Sequence, residues 1–225
     1  MNARCARAAT ARAPNLAHAD PMRRVRAAVV AILLASWSVS QVAPGASAWA
    51  VAGEVVYEAR DALATWSGRA PLDDVELQLD PDDLGTLRVV ARVLPATFDS
   101  GNLLRDRRAR ATVFEVDEHP VATLAGSATA QARGQRIAPG ETRGVDLIAE
   151  LTLHGVTLPY PIVVTLARPA PGVAAPWRAE AEFVVSLTAH GMRRPSLLGL
   201  VTDDEVRLRV QATGHPDPTP TPTTR

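Results

Sequence analysis

Residues 75–94 read VELQLDPDDLGTLRVVARVL, and apolar side chains occupy every second position in both halves of this stretch. The alternation runs from Val75 to Leu79 and returns from Leu87 to Val93, with turn-forming residues between the two runs. A period of two places alternate side chains on opposite faces of a pleated strand. The stretch therefore predicts two antiparallel strands, each with one apolar face and one wetter face.

Turn residues punctuate the rest of the chain in the same way. Further runs rich in Val, Leu and Thr are Val55 to Leu63, Val121 to Ala130, Val145 to Leu153, Leu158 to Leu166, Trp177 to Leu187 and Val206 to Val210. The pattern indicates about eight strands, and Asn102 to Val113, rich in Arg and Ala, predicts a short helix or helical loop. Strands without alternating long helices favour a sandwich or a closed barrel over a doubly wound sheet.

Composition and charge narrow the class of protein. Of 225 residues, 47% are hydrophobic and 21% charged, which is ordinary for a globular protein and fits neither wholesale disorder nor a polytopic membrane protein. The 24 basic side chains are balanced by 24 acids. Because a phosphate backbone requires a basic surface, nucleic acid is not expected as a partner.

Residues 22–48 have the three-part plan of a secretory signal peptide. Met22 is followed by three arginines, an apolar run from Ala27 to Val39, and small residues that end at Ala48. The apolar run is shorter than the ~20 residues that span a bilayer, although an uncleaved anchor is the alternative. Cleavage is expected after Ala48 or Ala50, and export would place the protein in the periplasm or outside the cell.

The segments flanking the signal and the β-rich region lack apolar periodicity. Residues 1–21 are interpreted as an upstream mis-start or a disordered leader, because a second methionine opens the signal. The single cysteine, Cys5, lies there, so the exported chain is expected to lack disulfides and thiol nucleophiles. Residues 214–225, GHPDPTPTPTTR, predict an extended disordered tail. One domain is expected over residues 49–213.

Residues 99–120, DSGNLLRDRRARATVFEVDEHP, resemble the central signature of the YceI-like family of exported proteins. The positions that match the signature are Gly101, Asn102, Arg105, Asp106, Arg110, Phe114, Glu115, Asp117, His119 and Pro120. LTLHGVT at residues 151–157 is similar to a family turn between two strands, and RPSLLG at 194–199 is close to a C-terminal loop of some members. Arg108 and Leu158 depart from the pattern, where many members have His and Arg.

The resemblance implies an all-β fold, an eight-stranded antiparallel lipocalin-like barrel with one short helix near the barrel mouth. It also implies a periplasmic location and a lumen that holds a long isoprenoid chain, either polyprenyl or isoprenoid quinone. Such a barrel is just wide enough for one slender apolar molecule. The expected function is therefore sequestration or transport of this lipid, with transient contact with a membrane surface. The alternative is a non-catalytic envelope interaction module with a filled barrel.

Six residues are candidates for ligand binding: Arg105, Asp106, Phe98, Phe114, Trp66 and His154. Arg105 and Asp106 would receive a polar head group through charge-assisted hydrogen bonds, or else fix a loop to neighbouring backbone. The three aromatic residues would line the pocket or belong to an ordinary core. His154 precedes Gly155 at a strand end and is expected to cap the turn.

No enzyme is predicted, because the chain has no G-x-S-x-G, P-loop or glycine-rich dinucleotide turn. The histidines after the signal are His119, His154, His190 and His215. Their spacing gives no short metal-binding pair, so neither a metal nor a cofactor other than the bound lipid is expected. Acid pairs such as Asp82-Asp83 and Asp203-Asp204 are interpreted as solvated turn residues.

Overall fold

Within the described residues of the computed structural model, eight antiparallel strands close into a barrel in which the first and last strands pair. The structure describes residues 47–60, 63–197 and 200–216. The strands are β1 (Ser47–Arg60), β2 (Thr65–Asp80), β3 (Asp83–Val93), β4 (Ala122–Ala128), β5 (Thr142–Leu153), β6 (Val156–Ala167), β7 (Trp177–Ser186), a short ribbon of β8 (Ser196–Leu197) and β9 (Leu200–Val201), and β10 (Glu205–Pro216). Helix α1 spans Leu103–Thr112, so the predicted eight-stranded barrel with one short helix is confirmed.

The leader at residues 1–21 lies outside the described residues, as do all but the last two residues of the predicted signal and most of the predicted tail. The barrel itself extends slightly beyond its predicted bounds. β1 begins at Ser47, and β10 continues to Pro216, where it pairs with Trp49. None of the described helices combines the length and apolar character that crossing a bilayer requires.

Strand β2 is much longer than the alternation from Val75 to Leu79 indicates. Its first half pairs with β1, and the register of its pairing with β3 shifts between Leu72 and Asp74. Gly68 lies in this half, and a Cβ there would come within 2.1 Å of the Tyr57 hydroxyl. Glycine at position 68 thus permits a close approach of the Tyr57 side chain, which the strand pattern does not predict. Trp66 is the second residue of this strand, directly after the connection from β1.

Two turns show how local sequence determines the hairpins. His154 and Gly155 have φ values of 52° and 74°, the left-handed conformation that a two-residue type I′ hairpin turn requires. At the β2–β3 turn, the Asp83 carboxylate accepts hydrogen bonds from the N–H groups of Gly85 and Gly134, at 3.0 Å and 2.8 Å. Asp83 therefore ties two connections together, unlike the solvated turn residue expected from sequence.

Antiparallel order separates the connections into two groups. One end of the barrel, here called the mouth, carries residues 63–64, residues 94–121 with α1, the 154–155 turn, and residues 187–197 and 200–204. The opposite end, here called the closed end, carries the 81–82 turn, residues 129–141 and 168–176, and the outer ends of β1 and β10.

Large apolar side chains fill the closed end. Its buried core consists of Trp49, Leu79, Leu84, Leu87, Ala132, Ile137, Val145, Leu147 and Leu166. The Trp49 ring meets Trp177 edge to face, with centroids 5.1 Å apart, and the Arg168 guanidinium lies 5.5 Å from the centroid of Trp177. These contacts leave this half of the barrel packed like an ordinary protein interior.

A capped N-terminus and a buried side stabilise helix α1 at the mouth. The Asn102 side chain accepts hydrogen bonds from the N–H groups of Leu104 and Arg105, both at 3.1 Å, and so caps the helix N-terminus. Ala109 in the helix and Val113 just after it are buried against the mouth-side core. The predicted helix over residues 102–113 is therefore confirmed to within one residue at each end.

Candidate functional site

A cavity of about 180 Å³ occupies the half of the barrel nearer the mouth. Its walls come from seven of the eight barrel strands, from Ala109 of α1, and from side chains between residues 187 and 202. Of the lining residues, none is charged and only Tyr57, Thr123 and Thr202 carry a hydroxyl. The cavity is therefore suited to an apolar molecule.

The same barrel is filled in one half and hollow in the other. None of the buried residues of the closed-end core lines the cavity. Small side chains supply part of the cavity wall, among them Ala59, Ala70, Ala91 and Ala122. Because alanine does not reach the barrel axis, space remains at the mouth that Trp49 and its neighbours occupy at the closed end. The alternative prediction of a barrel filled with side chains therefore holds only for the closed half.

Four aromatic rings line the mouth end of the cavity. The Tyr57 ring stacks on Phe98 with centroids 4.4 Å apart, while Phe114 meets Phe98 edge to face at 5.0 Å. Trp66 meets Tyr57 at 5.7 Å. Phe98, Phe114 and Trp66 all line the cavity and also belong to or pack against the buried core at the mouth, so both roles considered from sequence apply; whether they touch a ligand stays a prediction. Tyr57 was missed, since an aromatic residue in an alternating strand does not reveal a cavity.

The Tyr57 hydroxyl is a polar group in apolar surroundings. It is buried, and no hydrogen bond of normal geometry satisfies it within the described residues. Burial, followed by the negative charge of Asp106, raises the pKa of Tyr57 well above its ordinary value. The hydroxyl is therefore protonated at physiological pH and is available as a hydrogen-bond donor.

Arg105 and Asp106 are adjacent in sequence but serve different contacts. The Arg105 guanidinium carbon lies 4.9 Å from the centroid of the Trp66 ring, a cation–π contact at the edge of the cavity. The Asp106 side chain is buried, and its carboxylate accepts hydrogen bonds from the N–H and hydroxyl of Ser100 at 3.1 Å and 2.6 Å. Asp106 thus fixes the loop before α1 and does not line the cavity, whereas Arg105 remains beside it.

His154 lies outside the cavity lining, in a cluster next to it. Its Nε2 is 3.0 Å from a Glu115 carboxylate oxygen, and its ring centroid is 4.1 Å from that of His119. His154 was expected to cap its own turn, but its side-chain hydrogen bond instead joins the β5–β6 turn to the segment after α1. The metal-ligating atoms of Glu115, His119 and His154 all lie within 4.8 Å of one another. Sequence reasoning missed this convergence because the two histidines are distant along the chain.

Polar side chains secure the segment after β7. The fully buried His190 ring donates from Nδ1 to the Val156 carbonyl at 3.1 Å and accepts the Tyr160 hydroxyl at Nε2, at 3.0 Å. Asp204, expected to be solvated, accepts hydrogen bonds from the Ser186 hydroxyl and the Thr188 N–H. These bonds lower the pKa of Asp204, with the Ser186 hydroxyl as the largest cause.

The family model of the YceI-like domain matches residues 47–214, which are well over half of the chain and almost the whole described barrel. The chain belongs to the YceI-like family. In this YceI-like barrel, the signature at 99–120 builds the mouth: Asn102 caps α1, Asp106 anchors the preceding loop, and Phe114 lines the cavity.

Solved structures share the barrel at low sequence identity. A polyisoprenoid binding domain from Saccharophagus degradans, implicated in plant cell wall breakdown, is 16% identical with a TM-score of 0.57, covering 74% of this chain and 98% of that domain. BcnA from Burkholderia cenocepacia is 16% identical with a TM-score of 0.57, covering 72% of this chain and 95% of BcnA. The YCEI protein of Campylobacter jejuni is 12% identical with a TM-score of 0.50, covering 65% and 83% respectively. The sequence of this YceI-like protein matches no protein with curated annotation.

Proposed function

We propose that this protein is exported and takes the apolar chain of an isoprenoid lipid into the lumen at its mouth, which sequesters or carries the lipid. The observation that carries the proposal is the cavity of about 180 Å³ whose lining contains no charged side chain. Membership of the YceI-like family supports it, as does the fold shared with a domain from Saccharophagus degradans described as polyisoprenoid binding.

Affinity in this mechanism comes from removing the lipid chain from water. Each buried methylene contributes roughly 0.8 kcal/mol, so about ten buried methylenes supply the roughly 8 kcal/mol that micromolar binding requires. The cavity is smaller than the 300–1,000 Å³ or so that is typical of small-molecule pockets. It therefore encloses a segment of a long isoprenoid, and the rest of the lipid extends through the mouth or enters as side chains rearrange.

Two side chains at the mouth are suited to the polar end of a quinone or polyprenyl lipid. The Tyr57 hydroxyl is a protonated donor without a protein partner of normal geometry among the described residues. Arg105 lies beside the cavity over Trp66, where its guanidinium offers charge-assisted hydrogen bonds to a carbonyl or phosphate. The remainder of the lining offers no acid, base or thiol, which supports a binding role over an enzymatic one.

Loading from a membrane requires that the mouth meet a lipid surface. Exposed aliphatic side chains lie along the mouth, namely Leu63, Leu103, Leu104 and Val201. Leu103 and Leu104 are 80% and 77% exposed at the start of α1, and the exposed Arg107 and Arg108 follow them. Aliphatic side chains beside arginines favour contact with an anionic lipid surface.

Flotation with vesicles that contain anionic lipid tests this contact. The variant Leu103→Ser, Leu104→Ser should lose vesicle binding. A matched control, Ile148→Ser, Val163→Ser, removes exposed aliphatic groups of the outer barrel wall and should bind as the wild type does. Equal loss in both variants, or in neither, would contradict docking through the mouth.

Export determines where the mature chain begins. Cleavage after Ala48 would leave Trp49 as the first residue and keep the closed-end core intact, whereas cleavage after Ala50 would remove Trp49. We therefore place the cleavage before Trp49. The intact mass of the protein purified from the periplasm or medium distinguishes the two products.

Mass spectrometry of the purified protein, first native and then after organic extraction, tests the ligand. The expected result is an isoprenoid at about one molecule per chain, or its uptake when polyprenols and isoprenoid quinones are offered. If no lipid copurifies and none is taken up, the proposal fails and an envelope interaction module becomes the better account.

A further inference from the structure

Three side chains with metal-binding atoms converge beside the mouth. A carboxylate oxygen of Glu115 and imidazole nitrogens of His119 and His154 all lie within 4.8 Å of one another. The Glu115 carboxylate and His154 Nε2 are 3.0 Å apart, and the two imidazole centroids are 4.1 Å apart. All three residues are partly buried, so solvent reaches the cluster without surrounding it.

Two separate pieces of backbone build this cluster. After α1, the N–H of His119 donates to the Glu115 carbonyl at 2.9 Å, and this turn brings the two residues close together. His154 comes from the β5–β6 turn, where it is followed by Gly155. A Cβ at position 155 would lie 3.2 Å from the His119 ring, so glycine makes room for that imidazole.

The backbone at Glu115 and His154 is held in a conformation that costs free energy. Among the described residues, these two are the only non-glycine residues with positive φ, at 46° and 52°. Glycine or asparagine would serve an ordinary turn at lower cost. Two of the three members of the cluster thus share an unfavourable conformation that presents their side chains to one another.

We propose that Glu115, His119 and His154 form a binding site for a divalent transition-metal ion, for which Zn²⁺ is the probe. Two imidazoles and one carboxylate are a donor set that such ions prefer, and three protein ligands leave one position for water or another ligand. A hydrogen bond alone accounts for Glu115 and His154 but not for His119. Within the described part of the chain, no hydrogen bond engages the ring nitrogens of His119, which leaves them available as ligands.

The position of the site connects it to the lumen. Glu115 and His154 each directly follow a cavity-lining residue, Phe114 and Leu153 respectively. An ion bound by all three side chains would join the segment after α1 to the β5–β6 turn. Metal binding would thereby hold together two parts of the cavity wall at the mouth, whatever molecule the lumen holds.

Titration of the purified, chelator-treated protein with Zn²⁺, followed by calorimetry, tests the site. One ion per chain is expected, with a Kd of about 10 µM or below. His119→Gln and His154→Asn should each weaken binding at least about tenfold, since even loss of an outer-shell partner costs roughly 10–100-fold. Asparagine is used at position 154 because it tolerates the left-handed backbone. His215→Gln, which removes an exposed histidine on β10, is the matched control and should leave binding unchanged.

Substitution with Co²⁺ adds a readout that a purely structural role would not produce. The wild type should show the visible absorption of a low-coordinate cobalt site with imidazole ligands, and His119→Gln should lose it. Circular dichroism without metal verifies that each variant is folded. If His154→Asn does not fold, the His119→Gln variant alone tests the proposal, because the backbone of His119 is not in the left-handed conformation.

Two results would overturn the proposal. One is the absence of stoichiometric Zn²⁺ binding by the wild type at concentrations up to about 100 µM, ten times the expected Kd. The other is unchanged affinity and stoichiometry in folded His119→Gln. Either result would make the cluster a hydrogen-bonded clamp between the two segments.

Discussion

Replacement of Ala91 by phenylalanine fills the lumen from its wall and leaves the mouth residues in place. Ala91 lies on β3 and lines the cavity of about 180 Å³. An apolar cavity of roughly 150 Å³ binds one benzene molecule, so a phenyl ring at position 91 takes up most of this space. We therefore expect Ala91→Phe to exclude the lipid chain.

The size of the effect follows from the buried chain. Excluding about five methylenes at roughly 0.8 kcal/mol each removes about 4 kcal/mol, which corresponds to roughly a thousandfold loss of affinity. The fold should survive, because the apolar area that the new ring buries offsets an overpacking cost of about 1–3 kcal/mol. The variant should thus unfold at nearly the wild-type temperature without lipid, and added lipid should no longer raise that temperature.

Native mass spectrometry and lipid-dependent thermal unfolding measure both effects. The matched control is Ala125→Phe, which places the same ring at an exposed alanine on the neighbouring strand β4. The control should carry lipid as the wild type does. A folded Ala91→Phe protein that binds the same lipid with undiminished affinity would refute the assignment of this cavity as the binding site.

Three further predictions concern the lumen wall and the mouth. Tyr57→Phe removes a buried hydroxyl without a satisfactory partner, so the free energy of unfolding should rise by about 1 kcal/mol while affinity for a quinone or polyprenol falls; a loss of stability would contradict this. Gly68→Ala places a methyl group within 2.1 Å of the Tyr57 hydroxyl and should lower the free energy of unfolding, measured in urea, by about 1–3 kcal/mol; an unchanged midpoint would show that the Tyr57 ring moves aside without cost. Hydrogen bonds from Ser186 and Thr188 lower the pKa of Asp204, so its stabilising contribution is present above the unfolded-state pKa of about 3.9 and is lost as pH falls through the lower folded-state pKa. The urea midpoint of the wild type should accordingly fall more steeply below about pH 5 than that of Asp204→Asn, and parallel pH profiles would count against this role.

Local sequence accounts for the elements of the fold and for part of the site. The alternation in β3 and β5 and the capping Asn102 of α1 are local signals, so strand and helix positions could be predicted. The first half of β2 was not predicted as a strand, because Gly68 and Pro71 interrupt its alternation. Pairing with β1 nevertheless holds it in the sheet. Local pattern likewise marked Phe98, Phe114 and Trp66 as candidate lining, whereas Tyr57 and its unsatisfied hydroxyl emerge only from the packing around them.

The sequence by itself determined the class of fold, the number of strands, the helix near the mouth and membership of the YceI-like family. These depend on periodicity, capping and motifs, which act over a few residues. Only the tertiary structure decided that the barrel is packed around Trp49 at one end and hollow at the other. It alone also brought His119 and His154 together with Glu115. Barrel closure brings together residues that are far apart along the chain, and volume and coordination depend on those distances.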